Sequence, residues 1–249
     1  MPFSYAKVKK SAIVLDKKDY LTITLLGILC ICISMTLLQY AVLKADSPAL
    51  IAIIFSSNSV FTMLFSAIIL KDRINLTKTI AIFLCVAGVL ICTDFSSKNN
   101  LLSVILAALS ALTFSLYTVL SKKFMKKLSG IIQTGYSFFI GSIVLLVFLL
   151  IMRIEVISSI GSSNIGNLLY LGIGVTGIGY WAYFKAMEKT SAMAASLVFF
   201  IKPILTPFVA FFVNGIVPNG KVFVALALVV SGSYLATKNK EESKGCLKK

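Results

Sequence analysis

Apolar residues run along this chain in blocks of ~20, the length that spans a bilayer as a helix, and short lysine-rich stretches separate them. The pattern predicts about eight helices, at roughly 20–43, 48–70, 77–94, 101–121, 131–152, 165–186, 191–213 and 220–237. The connections are too short to hold a soluble domain. The expected fold class is therefore an all-α polytopic membrane protein with about eight transmembrane helices.

Composition agrees with the pattern. Hydrophobic residues make up 58% and charged residues 13%, with mean hydropathy +0.96. Soluble domains carry about 25% charged residues. The net charge of +15 raises the question of nucleic acid. The lysines and arginines, however, sit between apolar blocks and at the ends, where they flank a membrane. No nucleic-acid partner is expected, and the bilayer is the expected surroundings. With the N-terminus inside, only Lys44, Lys98, Arg153 and Lys221 fall outside, and Lys202 falls within the membrane. This bias predicts a cell-membrane protein with both termini cytoplasmic. Residues 1–19 hold five lysines and no long apolar core, so they read as a basic cytoplasmic segment rather than a signal peptide. The cysteines lie mostly in apolar blocks, as packing residues, and support no disulfide framework.

Lys202 is the anomaly. It stands in the apolar run 196–212 and is followed by Pro203 and Pro207. An ammonium group at that depth costs roughly 2.5–3.5 kcal/mol on insertion scales, so it needs a polar cavity, a partner or an escape to the interface. Proline frees backbone carbonyls in the same place. The pair reads as part of a binding site; the competing reading is a lysine that snorkels or bonds to those carbonyls.

The chain also repeats itself weakly. A slide of 145 residues sets Leu-Leu-Gly-Ile at 25–28 on Tyr-Leu-Gly-Ile at 170–173, and matches Ala41 with Ala186, Lys44 with Lys189 and Phe55 with Phe200. Five spans separate the two starts, so the copies would enter the membrane from opposite sides. Inverted repeats place a site near the midplane between halves.

Three stretches then carry a resemblance. Ala-Leu-Ser-Ala-Leu-Thr-Phe-Ser-Leu-Tyr-Thr-Val-Leu-Ser-Lys-Lys at 108–123, Tyr-Trp-Ala-Tyr-Phe-Lys-Ala-Met-Glu-Lys-Thr-Ser-Ala at 180–192 and Ser-Asn-Ser-Val-Phe-Thr-Met-Leu-Phe-Ser-Ala-Ile-Ile-Leu-Lys-Asp-Arg-Ile at 57–74 resemble, in order, helices of the EamA-like branch of the drug/metabolite transporter superfamily. The resemblance covers nearly the whole chain from about residue 16. It implies two repeats of five helices. Against that pattern, 20–95 reads as an incomplete first repeat of three helices and 101–237 as a complete second repeat of five. Residues 238–249 form a basic cytoplasmic tail. The first two family helices are then expected to be missing, and a second copy could fill their place, which allows a homodimer. The family's glycine-glutamate turn is replaced by Lys71-Asp72 and, in the second repeat, by Asn214-Gly215.

The resemblance implies a permease of small metabolites or drugs working by alternating access. Its substrate-binding residues are expected to be Lys202, Pro203, Asn58, Tyr180, Trp181, Tyr183 and Tyr117, with an anionic substrate engaging Lys202. Asn58 falls opposite Pro203 under the slide. Alternatives stand beside these: an interhelical hydrogen bond for Asn58, and an interfacial belt for the aromatics, above all for Tyr117 near a helix end. The glycines at 172, 174, 177 and 179 suit close helix packing or a flexible gating helix. All nine acids lie in expected loops, tails or helix ends, so exchange or facilitated movement is favoured over proton coupling through a buried carboxylate. Without histidine, intramembrane acids or a metal-ligand cluster, neither an enzyme nor a cofactor is expected. The alternative function is a truncated or partner-dependent membrane subunit without transport of its own.

Overall fold

A computed structural model describes residues 16–45, 48–72, 75–92, 101–125, 128–154 and 165–201, with 220, 223–224, 227–228, 230–232 and 234–235. These residues are helical, joined by short turns, as the apolar blocks predict. Three helices among them are long and apolar enough to cross a membrane: Lys17–Lys44, Leu101–Phe124 and Gly130–Ile151. Large apolar side chains such as Phe139, Val147, Leu150 and Ile151 point outward, as a lipid-facing surface requires.

The first span combines α1 (Lys17–Gly27), a π-helical stretch (Ile28–Met35) and α2 (Thr36–Lys44). Its start is set by Asp16, whose backbone N–H donates to the Asp19 carboxylate at 3.2 Å. The next apolar block is not one helix. It breaks at Ser57 into α3 (Pro48–Ser56) and α4 (Asn58–Ile69). The cause is local: Ser57 bonds back to Ile54 O through both its N–H (3.1 Å) and its hydroxyl (2.6 Å), which tightens the turn. Lys71, at φ 57°, closes α4, and the Asp72 N–H returns to Ser66 O at 3.2 Å.

Helix α5 is Leu76–Cys92, α6 is Leu101–Phe124 and α7 is Gly130–Ile151. A second interrupted span follows: α8 (Ile165–Leu169), a π-helical stretch (Tyr170–Gly179) and α9 (Tyr180–Lys189). Ser191 then caps α10 (Ala192–Ser196), its hydroxyl accepting from Ala194 N at 3.1 Å, and the chain tightens into a 3-10 turn at Leu197–Phe200.

Helix α6 is the centre of the bundle, packed against the first span, α3 and α4. Small residues let the helices approach. A Cβ on Gly27 would lie 2.1 Å from the Ser137 carbonyl oxygen, and one on Gly141 would lie 2.6 Å from that of Gly27, so α1 and α7 meet backbone to backbone. Ser34 and Ser110 join the first span to α6 by reciprocal bonds, each hydroxyl donating to the other's carbonyl, at 3.1 and 2.7 Å.

Candidate functional site

The break at Ser57 and the 3-10 turn at Leu197–Phe200 meet. Ser56 donates its hydroxyl to Phe199 O at 2.9 Å, and Ser59 donates to Ser196 O at 2.7 Å. Tightened turns leave carbonyls without their usual helical partners, and the serines of the opposite segment satisfy them. Close by, Tyr180 donates to the Met35 thioether at 3.8 Å, a pair separated by 145 residues.

Around this crossing lies an aromatic cluster. Phe114 packs on Phe55, Phe199 and Tyr117 with ring centroids at 5.5, 5.2 and 5.8 Å. Tyr180 sits edge-on to Phe138 at 4.7 Å. Tyr183 stands against Phe199 at 5.4 Å, and its hydroxyl reaches Thr118 Oγ1 at 3.4 Å. These tilted and edge-to-face pairs are the preferred aromatic arrangement. Two cavities of about 350 Å³ each share Tyr180 as a wall. One lies between α9 and the α10 segment and is lined by Tyr183, Ala195 and Phe199. The other lies between α7 and the 165–189 span and is lined by Phe138, Gly172, Thr176, Gly177 and Trp181.

Polar atoms without partners mark the same interior. Asn58 Nδ2, Thr62 Oγ1, Ser66 Oγ, Tyr117 OH, Ser121 Oγ and both amide atoms of Gln133 are buried with no hydrogen bond among the described residues. Each such group costs about 1–3 kcal/mol in a dry interior. Asn58, Thr62 and Ser66 recur every fourth residue and share one face of α4. Tyr117 and Ser121 belong to α6 and Gln133 to α7.

One end of the bundle is basic and closed by helix ends. Lys122 donates to Met187 O and, at 3.1 Å, to Thr190 O, capping the C-terminus of α9. Glu188 accepts from Gly130 N at 2.7 Å at the N-terminus of α7, and pairs with Lys185 at 3.3 Å. A cavity of about 410 Å³ opens there, lined by Ile69, Leu70, Asp72, Lys123 and Ser191 among others.

The expected site residues divide. Asn58 lies at the crossing; Tyr183 stands against Phe199 there, and Tyr180 packs against Phe114 and Phe138. Asn58 is fully buried; its carbonyl accepts from Ser115 at 2.7 Å and its Oδ1 from Ser59 at 3.2 Å, while its amide nitrogen is unpartnered. Trp181 is half exposed at the rim of the cavity beside α7. The belt reading of Tyr117 is corrected: the ring is fully buried against Phe114, Phe138 and Phe184, because α6 is central rather than peripheral. Lys202 and Pro203 lie outside the described residues. Among the described residues, the glycines at 172 and 177 do not pack a neighbouring helix. Nothing within 4 Å would meet a Cβ at 172, and at 177 only the backbone of its own span would. Sequence reasoning missed Thr62, Ser66, Ser121 and Gln133. Polar residues at four-residue spacing in an apolar block were the available signal.

Comparison with known proteins is consistent in kind. The EamA-like transporter family profile matches residues 1–93 and 101–238. A protein of Clostridium kluyveri, named an uncharacterized transporter, is 33% identical over 242 residues, covering 94% of this chain and 78% of its own. The uncharacterized transporter YyaM of Bacillus subtilis is 26% identical over 239 residues, covering 92% of this chain and 76% of its own. A solved crystal structure shares the fold, with a TM-score of 0.72 at 19% identity over 91% of this chain and 77% of that one.

Proposed function

Because the chain belongs to the EamA-like transporter family, and is thus a multi-pass membrane transporter rather than an enzyme, we propose that it is a permease of small metabolites or drugs working by alternating access. Its halves, 20–95 with three helices and 101–237 with five, act as an inverted repeat flanked by basic segments 1–19 and 238–249. Substrate binds where they cross, among Asn58, Tyr180, Tyr183 and Tyr117, with Trp181 at the rim and Lys202 and Pro203 completing the site from the second half. Lys202 engages an anionic group, and movement is by exchange or facilitated passage. The basic end faces the cytoplasm of a cell membrane.

The observation that carries this reading is the crossing. Two interrupted segments, one from each half, meet, and serines of the first donate to carbonyls of the second at 2.9 and 2.7 Å beside orphaned polar groups. Interrupted helices at a repeat interface are the usual construction of a midplane site. The Met35–Tyr180 contact supports the two-fold relation, since those positions are equivalent under the 145-residue slide.

The test is counterflow of a labelled metabolite panel, including organic acids and amino acids, in proteoliposomes of the purified chain. Substrate-dependent counterflow that falls about tenfold in Lys202→Ala and Tyr180→Ala, as loss of a direct contact predicts, is the expected result. Undiminished counterflow in both would remove this site assignment. A second reading, a partner-dependent subunit completed by another copy, is favoured by one observation: residues 165–173 are exposed throughout. Folded protein with no counterflow alone, but with counterflow on co-reconstitution with a membrane extract, would establish it.

A further inference from the structure

The face of α4 that carries Asn58, Thr62 and Ser66 does something unusual with its hydroxyls. Serine and threonine inside helices normally donate to the carbonyl four residues back, which hides the group from hydrocarbon. Ser56, Ser115, Thr113 and Thr134 all do so here, at 2.8, 2.6, 2.9 and 2.6 Å. Thr62 and Ser66 do not, although both are buried, at 0 and 2% exposure. The Asn58 carbonyl that Thr62 would use also faces the Ser115 hydroxyl at 2.7 Å, which shares its one proton between that carbonyl and Ala111 O. The three side chains thus present an amide N–H and two hydroxyls, all uncharged and all unpartnered, along about 12 Å of helix.

The row runs toward the basic end of the bundle. Helices α4 and α6 run in the same direction, with Ser115 beside Asn58 at one level. At the other end, Ile69, Leu70 and Asp72 line the 410 Å³ cavity with Lys122, Lys123 and Met125. Ser66 lies one helical turn from that cavity, and its carbonyl accepts from the N–H groups of Leu70 and Asp72.

We propose that Asn58, Thr62 and Ser66 form a hydrogen-bonding track for an uncharged polar group of the substrate, an amide or a hydroxyl, entered from the cavity at the basic end. The inference deepens the permease reading and rests on it. No ionised side chain stands on the track among the described residues, so a charged group there would be desolvated without a partner, whereas an amide or hydroxyl exchanges its water bonds for these three.

Two alkylating probes of nearly equal size separate the cases. Iodoacetamide is an uncharged amide; iodoacetate is an anion. Thr62→Cys and Ser66→Cys are made in the full chain, reconstituted in liposomes, and modification is read peptide by peptide. Native Cys85, fully buried in an apolar cluster, is the internal control. Both new thiols should react with iodoacetamide faster than Cys85 does, and about a hundredfold faster than with iodoacetate, the factor that an unpaired charge at membrane depth implies. Rates no higher than that of Cys85 would mean sealed polar groups and overturn the track. Equal rates with iodoacetate would overturn the uncharged class. Thr62→Val supplies a check that does not depend on labelling. Its melting temperature should hold or rise, since an orphaned hydroxyl is removed; a fall of several degrees would assign the hydroxyl to structure and overturn the proposal. Alkylation needs no transported substrate. A chain that shows counterflow but shields positions 62 and 66 therefore loses the track alone, and a chain with no counterflow loses the permease reading whatever the labelling.

Discussion

Gly27 and Gly172 occupy the same place in two similar stretches, each within Leu-Gly-Ile and each beside or inside a π-helical segment. Their surroundings are opposite. Gly27 is buried and pressed against α7, where a Cβ would strike the Ser137 carbonyl at 2.1 Å. Gly172 is exposed, and nothing among the described residues would meet a Cβ there. The contrast teaches that a glycine in an apolar span marks an opportunity for approach. Whether the approach happens depends on what stands opposite, here Gly141, another residue without a side chain.

Substitution should split the pair. Gly27→Ala forces a methyl group into backbone that has no rotamer to move, and should lower stability by about 3 kcal/mol, the upper part of the range for overpacking. Unfolding by dodecyl sulfate titration in mixed micelles measures it; a loss under half that size would show that α1 and α7 can part without penalty. Gly141→Ala, with its nearest clash at 2.6 Å, should cost about 2 kcal/mol in the same assay. Ser34→Ala removes one donor of the reciprocal Ser34–Ser110 pair and should cost about 1 kcal/mol, and the double variant Ser34→Ala/Ser110→Ala should cost less than the sum, as coupled partners do. Gly172→Ala is the smallest effect and of opposite sign: a gain of up to about 1 kcal/mol from helix propensity alone. A loss at that position would reveal a neighbour on the exposed face.

The helices were legible in the sequence because bilayer-length apolar blocks leave little freedom in where a helix begins and ends. Lysines at 44, 71, 122 and 189 mark ends that the structure keeps. The break at Ser57 was legible in principle, since Ser-Ser-Asn-Ser at 56–59 is the sole polar cluster inside that block. The length of the block, enough for one bilayer span, predicts a single helix there instead. The first π-helical stretch had little signal, whereas the second holds the glycines at 172, 174, 177 and 179. Ile28–Met35 contains neither proline nor glycine, and widening from i→i+4 to i→i+5 bonding leaves a stretch that is apolar but for Ser34 looking the same. Within the site, Asn58 stood out as an amide in a span, whereas Thr62, Ser66 and Ser121 did not, because hydroxyls normally satisfy themselves on their own helix. Only side-chain geometry shows that these do not.

The closure at the basic end has an electrical consequence. Lys122 rests on the carbonyl terminus of α9, and Glu188 meets the amide terminus of α7 beside Lys185. Cation, anion and both helix ends sit at one level, on one side of the apolar spans. A separation confined to that level would move charge along the plane of the membrane rather than through its thickness. A transmembrane potential does work only on displacement across the bilayer, about 2.3 kcal/mol per elementary charge per 100 mV. Such an opening would therefore carry almost no gating charge, and its rate would respond to ionic strength and hardly at all to voltage.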